Sequence, residues 1–164
     1  MRLSEEYRDL NTALHQKRPS YGASGHRWAK EVSHLEDILD YGCGKGTLAK
    51  ELGRTISEYD PAIPGKDAEP EPHKHVVCTD VLEHIEPECL DEVLQHIASL
   101  MQESGLLVVA TRPANKKLPD GRNAHLIIEP WAWWNKALNA HFNINKITVD
   151  AKQEGEFAVW VSPK

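Results

Sequence analysis

The chain has 164 residues and a mass of 18.5 kDa, about one domain's worth of polypeptide. Forty per cent hydrophobic and 27% charged residues allow a core and disfavour wholesale disorder. Nineteen Lys plus Arg against 25 Asp plus Glu leave a net charge of −6, which argues against a surface built throughout to grip nucleic-acid backbone.

The opening Met1-Arg2-Leu3-Ser4-Glu5-Glu6 is too polar for a signal peptide, and no uncharged apolar run reaches the length of a membrane span. Residues 4–16 read as a helix capped by Ser4, with Tyr7, Leu10 and Leu14 near one face. Pro19, Gly22 and Gly25 break the next stretch into a loop, and Ser24 to His34 can form a second helix. Leu35 to Asp40 then reads as a strand, Thr47 to Leu52 as the start of a helix and Thr55 to Tyr59 as a weaker strand. Pro61, Pro64, Pro70 and Pro72 make 61–75 mostly loop before a strand at Val76–Thr79. Leu90, Val93, Leu94, Ile97, Leu100 and Met101 recur at helical spacing, with Pro87 suited to a first turn and Gly105 as the expected stop. Leu106–Thr111 is an apolar strand. A loop to about Ala124 precedes a Trp-rich helix ending near Ala140. Ile144, Ile147 and Val149 mark one last strand and Phe157, Val159 and Val161 another, joined by Asp150–Gly155 as an antiparallel hairpin.

Strand and helix alternate through the middle. The expected fold is α/β, a Rossmann-like, doubly wound, mainly parallel sheet with an antiparallel C-terminal edge hairpin. One domain, 1–164, is expected, with N-terminal helices over 1–34 and a cofactor-binding core over 35–164. Ligands in such sheets sit beyond the carboxyl ends of the strands, so the chemistry belongs after Asp40, Tyr59, Thr79 and Thr111. Three cysteines without a CxxC pair (Cys43, Cys78, Cys89) argue against a disulfide framework and favour a reducing cytosol.

Asp40-Tyr41-Gly42-Cys43-Gly44-Lys45-Gly46 is the most informative segment. Gly42 allows a tight strand-to-helix turn, Gly44 lets a ligand approach the backbone, and Gly46 permits close packing where the helix starts. A dinucleotide fingerprint would need glycine where Thr47 stands, and Lys45 is followed by Gly46, so a P-loop fails too. What remains is a carboxylate ahead of three glycines. That charge is unwelcome beside a pyrophosphate and welcome beside an amine-bearing or cationic ligand.

This segment resembles the first motif of class I S-adenosylmethionine-dependent methyltransferases. Tyr59-Asp60-Pro61 stands where that family has the acidic residue for the ribose hydroxyls. Asp67-Ala68-Glu69 resembles its segment near the adenine amino group. Thr79-Asp80-Val81-Leu82-Glu83-His84-Ile85 resembles its D-V-L-E-H segment. The likeness covers about residues 35–150 and is of the compact phage and bacterial type. Only six residues separate Asp60 from Asp67, so the third strand-helix unit is cut down. The resemblance implies S-adenosylmethionine as cofactor, bound by Asp40, Tyr41, Gly42, Cys43, Gly44, Gly46, Tyr59, Asp60, Pro61, Asp67, Thr79, Asp80 and Val81. Within it, Asp40 can face the donor's amino group, and Cys43 with the amides after Gly42 can reach its carboxylate through the helix N-terminus.

Candidate bases are Asp80, His84 and His125, should the acceptor have to lose a proton. Arg112, Lys116, Lys117 and Arg122 against Asp120 give the loop after the Leu106 strand a local charge of +3, a solvated loop or a clamp for an anionic acceptor to which Asn123 and His125 can contribute. The rest has bland readings. The acidic run from Asp80 to Glu92 is mostly a solvated helix start, and His73, His75 and Cys78 lack a paired metal-ligand spacing, so no metal is expected. Trp131, Trp133 and Trp134 are core or lid packing ahead of a base-stacking platform. The sequence lacks the Asn/Asp-Pro-Pro-Tyr/Phe and Pro-Cys segments of nucleic-acid methyltransferases, which favours a small-molecule or nucleotide acceptor in the cytoplasm. A non-catalytic donor-binding module and a nucleic-acid-modifying enzyme are the alternatives; oligomeric state is not legible.

Overall fold

Ser4 starts the first helix because its hydroxyl accepts the Tyr7 amide at 3.1 Å, while Glu5 and Glu6 sit at the positive end of the helix dipole. The computed structural model describes residues 2–147 and 155–164. In chain order it comprises α1 (Glu5–Lys17), a 3-10 turn (Gly25–Trp28), α2 (Ala29–Val32), β1 (Ile38–Tyr41), α3 (Thr47–Leu52), β2 (Ser57–Tyr59), β3 (His73–Thr79), two further 3-10 turns (Leu82–His84 and Pro87–Cys89), α4 (Leu90–Leu100), β4 (Met101–Ala110), α5 (Trp131–Asn139), β5 (Phe142–Ile147) and β6 (Glu156–Pro163).

The six strands form one sheet in the order β2-β1-β3-β4-β6-β5. The pairs β1–β2, β1–β3 and β3–β4 are parallel, and β4–β6 and β5–β6 are antiparallel. The expected Rossmann-like sheet with its antiparallel C-terminal edge is therefore present. So is the truncation: the chain from Asp60 to Pro72 holds no strand or helix, and β2 ends the sheet among the described residues. Val149 and the link 150–154 lie outside the described residues.

Alternation along each strand feeds two cores. Leu39, Val76, Cys78, Leu107, Val109 and Phe157 point to one face, where Val93, Ile97, Trp134 and Leu138 of α4 and α5 cover them. Ile38, Val77, Leu106, Val108 and Ala158 point to the other, under Trp28, Val32 and Leu48. A third cluster, Tyr7, Leu14, Tyr21, Leu118 and Ala124, packs α1 and its following loop onto the loop after β4.

Several local expectations are corrected. The helix expected over Ser24–His34 is a 3-10 turn and one short turn of α-helix, because the Ser24 hydroxyl is drawn to the Asp80 carboxylate and caps nothing. Gly105 does not stop α4, which ends at Leu100; it lies inside β4, where an added Cβ would come within 2.7 Å of the Val76 carbonyl oxygen. The Trp-rich helix begins only at Trp131, after Pro130. Trp134 is fully buried and Trp131 packs edge-on against Phe157 at 4.8 Å, so the core reading holds for these two, whereas Trp133 is exposed. The acidic run is solvated where it starts α4, at Glu88, Asp91 and Glu92, but not before it. Glu83 is fully buried, and Glu86 accepts both the backbone amide and the hydroxyl of Ser4, at 2.9 and 2.7 Å, tying α1 to the segment before α4.

The glycine turn is filled by the protein itself. A Cβ on Gly44 would stand 2.2 Å from the Gly22 carbonyl oxygen, and one on Gly42 would stand 2.3 Å from Val81 Cγ2. The space that the sequence suggested for a ligand at Gly44 is thus taken by the backbone of the loop after α1. Gly44→Ala (φ +51°) should cost about 3 kcal/mol, from left-handed strain plus collision, whereas Gly53→Ala (φ +66°, nothing within 4 Å) should cost about 1 kcal/mol. Urea unfolding checks this; equal losses would contradict the packing described.

Candidate active site

Between β2 and β3 stands β1, and the chain leaves its two sides in opposite directions, which makes a crevice at the carboxyl ends of these strands. A cavity of about 340 Å³ opens there, within the size range of small-molecule sites. Its floor comes from the turns after β1, β2, β3 and β4. Its roof comes from α1 and residues 20–25.

Most of the expected site residues meet at this cavity. Asp40, Tyr41, Gly42, Cys43 and Gly44 line it from the first turn, and Tyr59, Asp60 and Pro61 from the second. Thr79, Asp80, Val81 and His84 line it from the third, and Arg112 and His125 from the fourth. Three expected residues do not. Gly46 faces Glu58 and Lys66. Asp67 is exposed, and its carboxylate accepts the Gly65 amide at 3.1 Å. Asn123 is a brace, exchanging two 2.9 Å hydrogen bonds with the Ala114 backbone and accepting from the His125 amide.

The two carboxylates nearest the glycine turn differ in state. Asp60 is satisfied by the protein: Oδ2 accepts the Gly44 amide and Oδ1 the Ala62 amide, each at 3.0 Å. Asp40 is 3% exposed, and among the described residues nothing donates to its carboxylate. Burial, with Glu58 beside it, raises its pKa from the usual carboxylate range to about 7. The amides after Gly42 are likewise spoken for. Those of Gly42 and Cys43 donate to the Tyr59 carbonyl, that of Gly44 to Asp60, that of Lys45 to the Gly22 carbonyl and that of Gly46 to the Cys43 carbonyl. The expectation that they receive a ligand's carboxylate is therefore corrected, because the turn spends its donors internally.

The opposite wall carries a second polar group. Asp80 holds the left-handed backbone (φ +55°) that L-residues seldom adopt, a strain of the kind found at functional sites. Its carboxylate accepts the Ser24 hydroxyl and lies 3.8 Å from Arg27, which also pairs with Glu156 at 2.8 Å. Glu83 accepts the Ala110 amide on Oε1 at 3.0 Å, and burial raises its pKa to about 8. Burial also lowers the pKa of His84 to about 3, with His125 adding to the shift. The rings of His84 and His125 stand 4.7 Å apart, nearly perpendicular.

The roof was missed in the sequence. The Tyr7 hydroxyl donates to the His84 carbonyl, and the Tyr21 hydroxyl donates to Asn11 Oδ1 at 2.8 Å. The spacing of Tyr7 and Leu14 marked a buried face of α1 but could not show what lay beneath it. Of the basic loop, Arg112 and Lys116 line the cavity, donating at present to the Gly155 carbonyl and the Ser20 hydroxyl. Arg122 is paired with Asp120 at 2.7 Å.

Residues 7–151 match the family model of the methyltransferase domain. The chain belongs to that methyltransferase family. A search of the curated proteins finds no match to this sequence. Among solved structures, 1,6-didemethyltoxoflavin-N1-methyltransferase from Burkholderia thailandensis, with bound 1,6-didemethyltoxoflavin and S-adenosylhomocysteine, superposes with a TM-score of 0.68 at 15% identity, over 97% of this chain and 89% of its own. Magnesium protoporphyrin IX methyltransferase from Synechocystis PCC 6803, with bound S-adenosylhomocysteine, superposes at 0.58 and 18% identity, over 99% and 89%. Both share the fold of this methyltransferase domain.

Asp40 provides the pH test of this site. Its folded pKa lies above its unfolded value, so the stability it contributes is complete below about pH 4 and is lost as pH rises through about 7. Asp40→Asn should therefore gain about 2 kcal/mol more, relative to wild type, at pH 8 than at pH 5. Unfolding at the two pH values measures this. The same difference at both would show that the carboxyl is already ionised at pH 5.

Proposed function

We propose that this methyltransferase domain moves a methyl group from S-adenosylmethionine to a small-molecule or nucleotide acceptor. The observation that carries the reading is Asp40, a buried carboxylate without a protein donor, lining a cavity at the sheet's switch point. A carboxylate so placed needs a donor or a cation. The methyl donor offers both, in an α-amino group and a sulfonium. Asp60 stands where the resembling family binds the ribose hydroxyls and has lone pairs beyond the two that hold amides. When bound, S-adenosylmethionine supplies a methyl group already activated by its positive sulfur.

The chain's own part is then alignment and the exclusion of water, which can be worth about 7–11 kcal/mol. The roof of α1 and residues 20–25 serves the exclusion. His84, with its pKa near 3, is a poor base; His125, half-buried with a milder depression, is the better one where the acceptor must lose a proton and Nε2 holds no metal ion. Two of the structural neighbours are named for small acceptors, 1,6-didemethyltoxoflavin and magnesium protoporphyrin IX, which favours a small acceptor here. The burial of Trp134 and the net charge of −6 speak against a nucleic-acid platform. The three cysteines are free and buried, which suits a reducing compartment such as the cytoplasm.

Calorimetric titration with S-adenosylmethionine tests the reading. Because Asp40 must be ionised to meet an ammonium group, affinity should fall by up to about tenfold per pH unit below 7. Asp40→Asn should flatten that slope and weaken binding at pH 8 by about 1.5–3 kcal/mol. Absence of binding by both S-adenosylmethionine and S-adenosylhomocysteine at pH 8 would overturn the proposal.

A further inference from the structure

Beside the proposed donor site, on the far wall of the same cavity, lies a constellation that methyl transfer does not require. Glu83, His84 and His125 each offer one ligand atom, and the three atoms lie within 4.8 Å of one another. We propose that these three side chains bind a divalent transition-metal ion, of which zinc is the prototype, with open coordination positions toward the cavity.

Four features carry this. The first is the donor set. Two imidazoles and one carboxylate are a recurrent three-ligand arrangement for zinc and its first-row neighbours, and three protein ligands leave room for water or substrate. The second is orientation. His84 Nδ1 lies 2.8 Å from the Ala124 carbonyl oxygen and His125 Nδ1 lies 2.6 Å from that of Arg112. Each ring can donate its Nδ1–H to a backbone carbonyl, which leaves Nε2 as the lone-pair nitrogen. Metal-bound histidines are held in this way, with the second nitrogen fixing tautomer and ring.

The third feature is an orphan. Glu83 is fully buried, its Oε1 accepts the Ala110 amide, and its Oε2 has no hydrogen-bond partner. A buried carboxylate oxygen left so is costly unless a ligand completes it. The fourth is local charge. The groups nearby that act on Glu83 electrically are Asp80 and Glu156, both of its own sign. A dication would turn that mutual repulsion into attraction. Arg27, paired with Glu156 and near Asp80, offsets only part of it.

Ligands at about 2.1 Å from one ion can stand at most about 4.2 Å apart, so binding would draw the three side chains slightly together. His125 is on a loop and can make that adjustment. His84 and His125 line the cavity while Glu83 lies behind them, so the ion's remaining positions face the acceptor's space. An oxygen-bearing acceptor, a hydroxyl or enol, is the chemistry such an ion would hold. This last step rests on the methyl-transfer reading; the binding of the ion does not.

The test uses the full chain without donor. Protein freed of metal with a chelator is dialysed against Zn²⁺ at pH 7.5, then analysed for retained metal. Co²⁺ replaces Zn²⁺ in a parallel sample for its visible spectrum. The expected result is one ion per chain, a four- or five-coordinate Co²⁺ spectrum, and a loss of affinity of at least about tenfold in His125→Ala. Glu83→Gln should lose affinity as well; because Glu83 is fully buried and its substitution also bears on folding, His125→Ala, on a half-buried loop residue, is the deciding variant, with its circular dichroism checked against wild type. Less than half an ion retained, or retention unchanged in folded His125→Ala, would overturn the proposal. S-adenosylhomocysteine titrated into the metal-free protein separates the readings: binding there with no ion retained leaves methyl transfer standing and removes the metal, and the reverse outcome does the opposite.

Discussion

Carboxylates kept out of water at the carboxyl edge of the parallel strands set the terms for the rest of this molecule. Burying a negative charge is expensive unless donors or cations meet it. Asp60 is met by two backbone amides, those of Gly44 and Ala62, and the first clamps the turn after β1 to the turn after β2. Asp40 and Glu83 are met incompletely, and both stand at the cavity or directly behind it. Their raised pKa values, about 7 and about 8, are the same physics in another form. A cationic nucleoside at one wall and a metal ion at the other would each complete a charge that the fold leaves unfinished.

The glycines serve this arrangement indirectly. They admit neighbouring protein rather than ligand: Gly22 against Gly44, and Val81 against Gly42. That close packing draws the loop after α1 down over the crevice, and the Lys45 amide donates to the Gly22 carbonyl at 2.8 Å to hold it there. The N-terminal segment is thus part of the site. Tyr7, Asn11 and Tyr21 reach across to His84 and its neighbours, and Leu118 and Ala124 seal the other side.

Much of the fold was legible because its signals are local. Short, partly apolar runs ending in Asp40 and Thr79 marked strands, that ending in Tyr59 a weaker one, and the 3.6-residue period of Leu90 to Leu100 marked α4. The carboxylate ahead of the glycine turn located the crevice. What escaped notice depends on contacts distant in sequence. Glu83 reads as one acid among many in a polar run, yet the strand it packs against lies 27 residues on, at Ala110. Tyr7 meets His84 across 77 residues. Gly105 has the look of a helix stop, but β3 crowds it too closely for any side chain. Asp67 matches a motif by type and order, and the shortened loop around it leaves it in solvent.

The structure of this chain determined with S-adenosylhomocysteine tests the central claim most directly, since that compound keeps the amino group, ribose and adenine of the donor. The account predicts density in the crest cavity, with the amino group at hydrogen-bonding distance from Asp40 and the ribose toward Asp60. A nucleoside seated elsewhere, or a crest cavity that stays without it at saturating concentration, would contradict it.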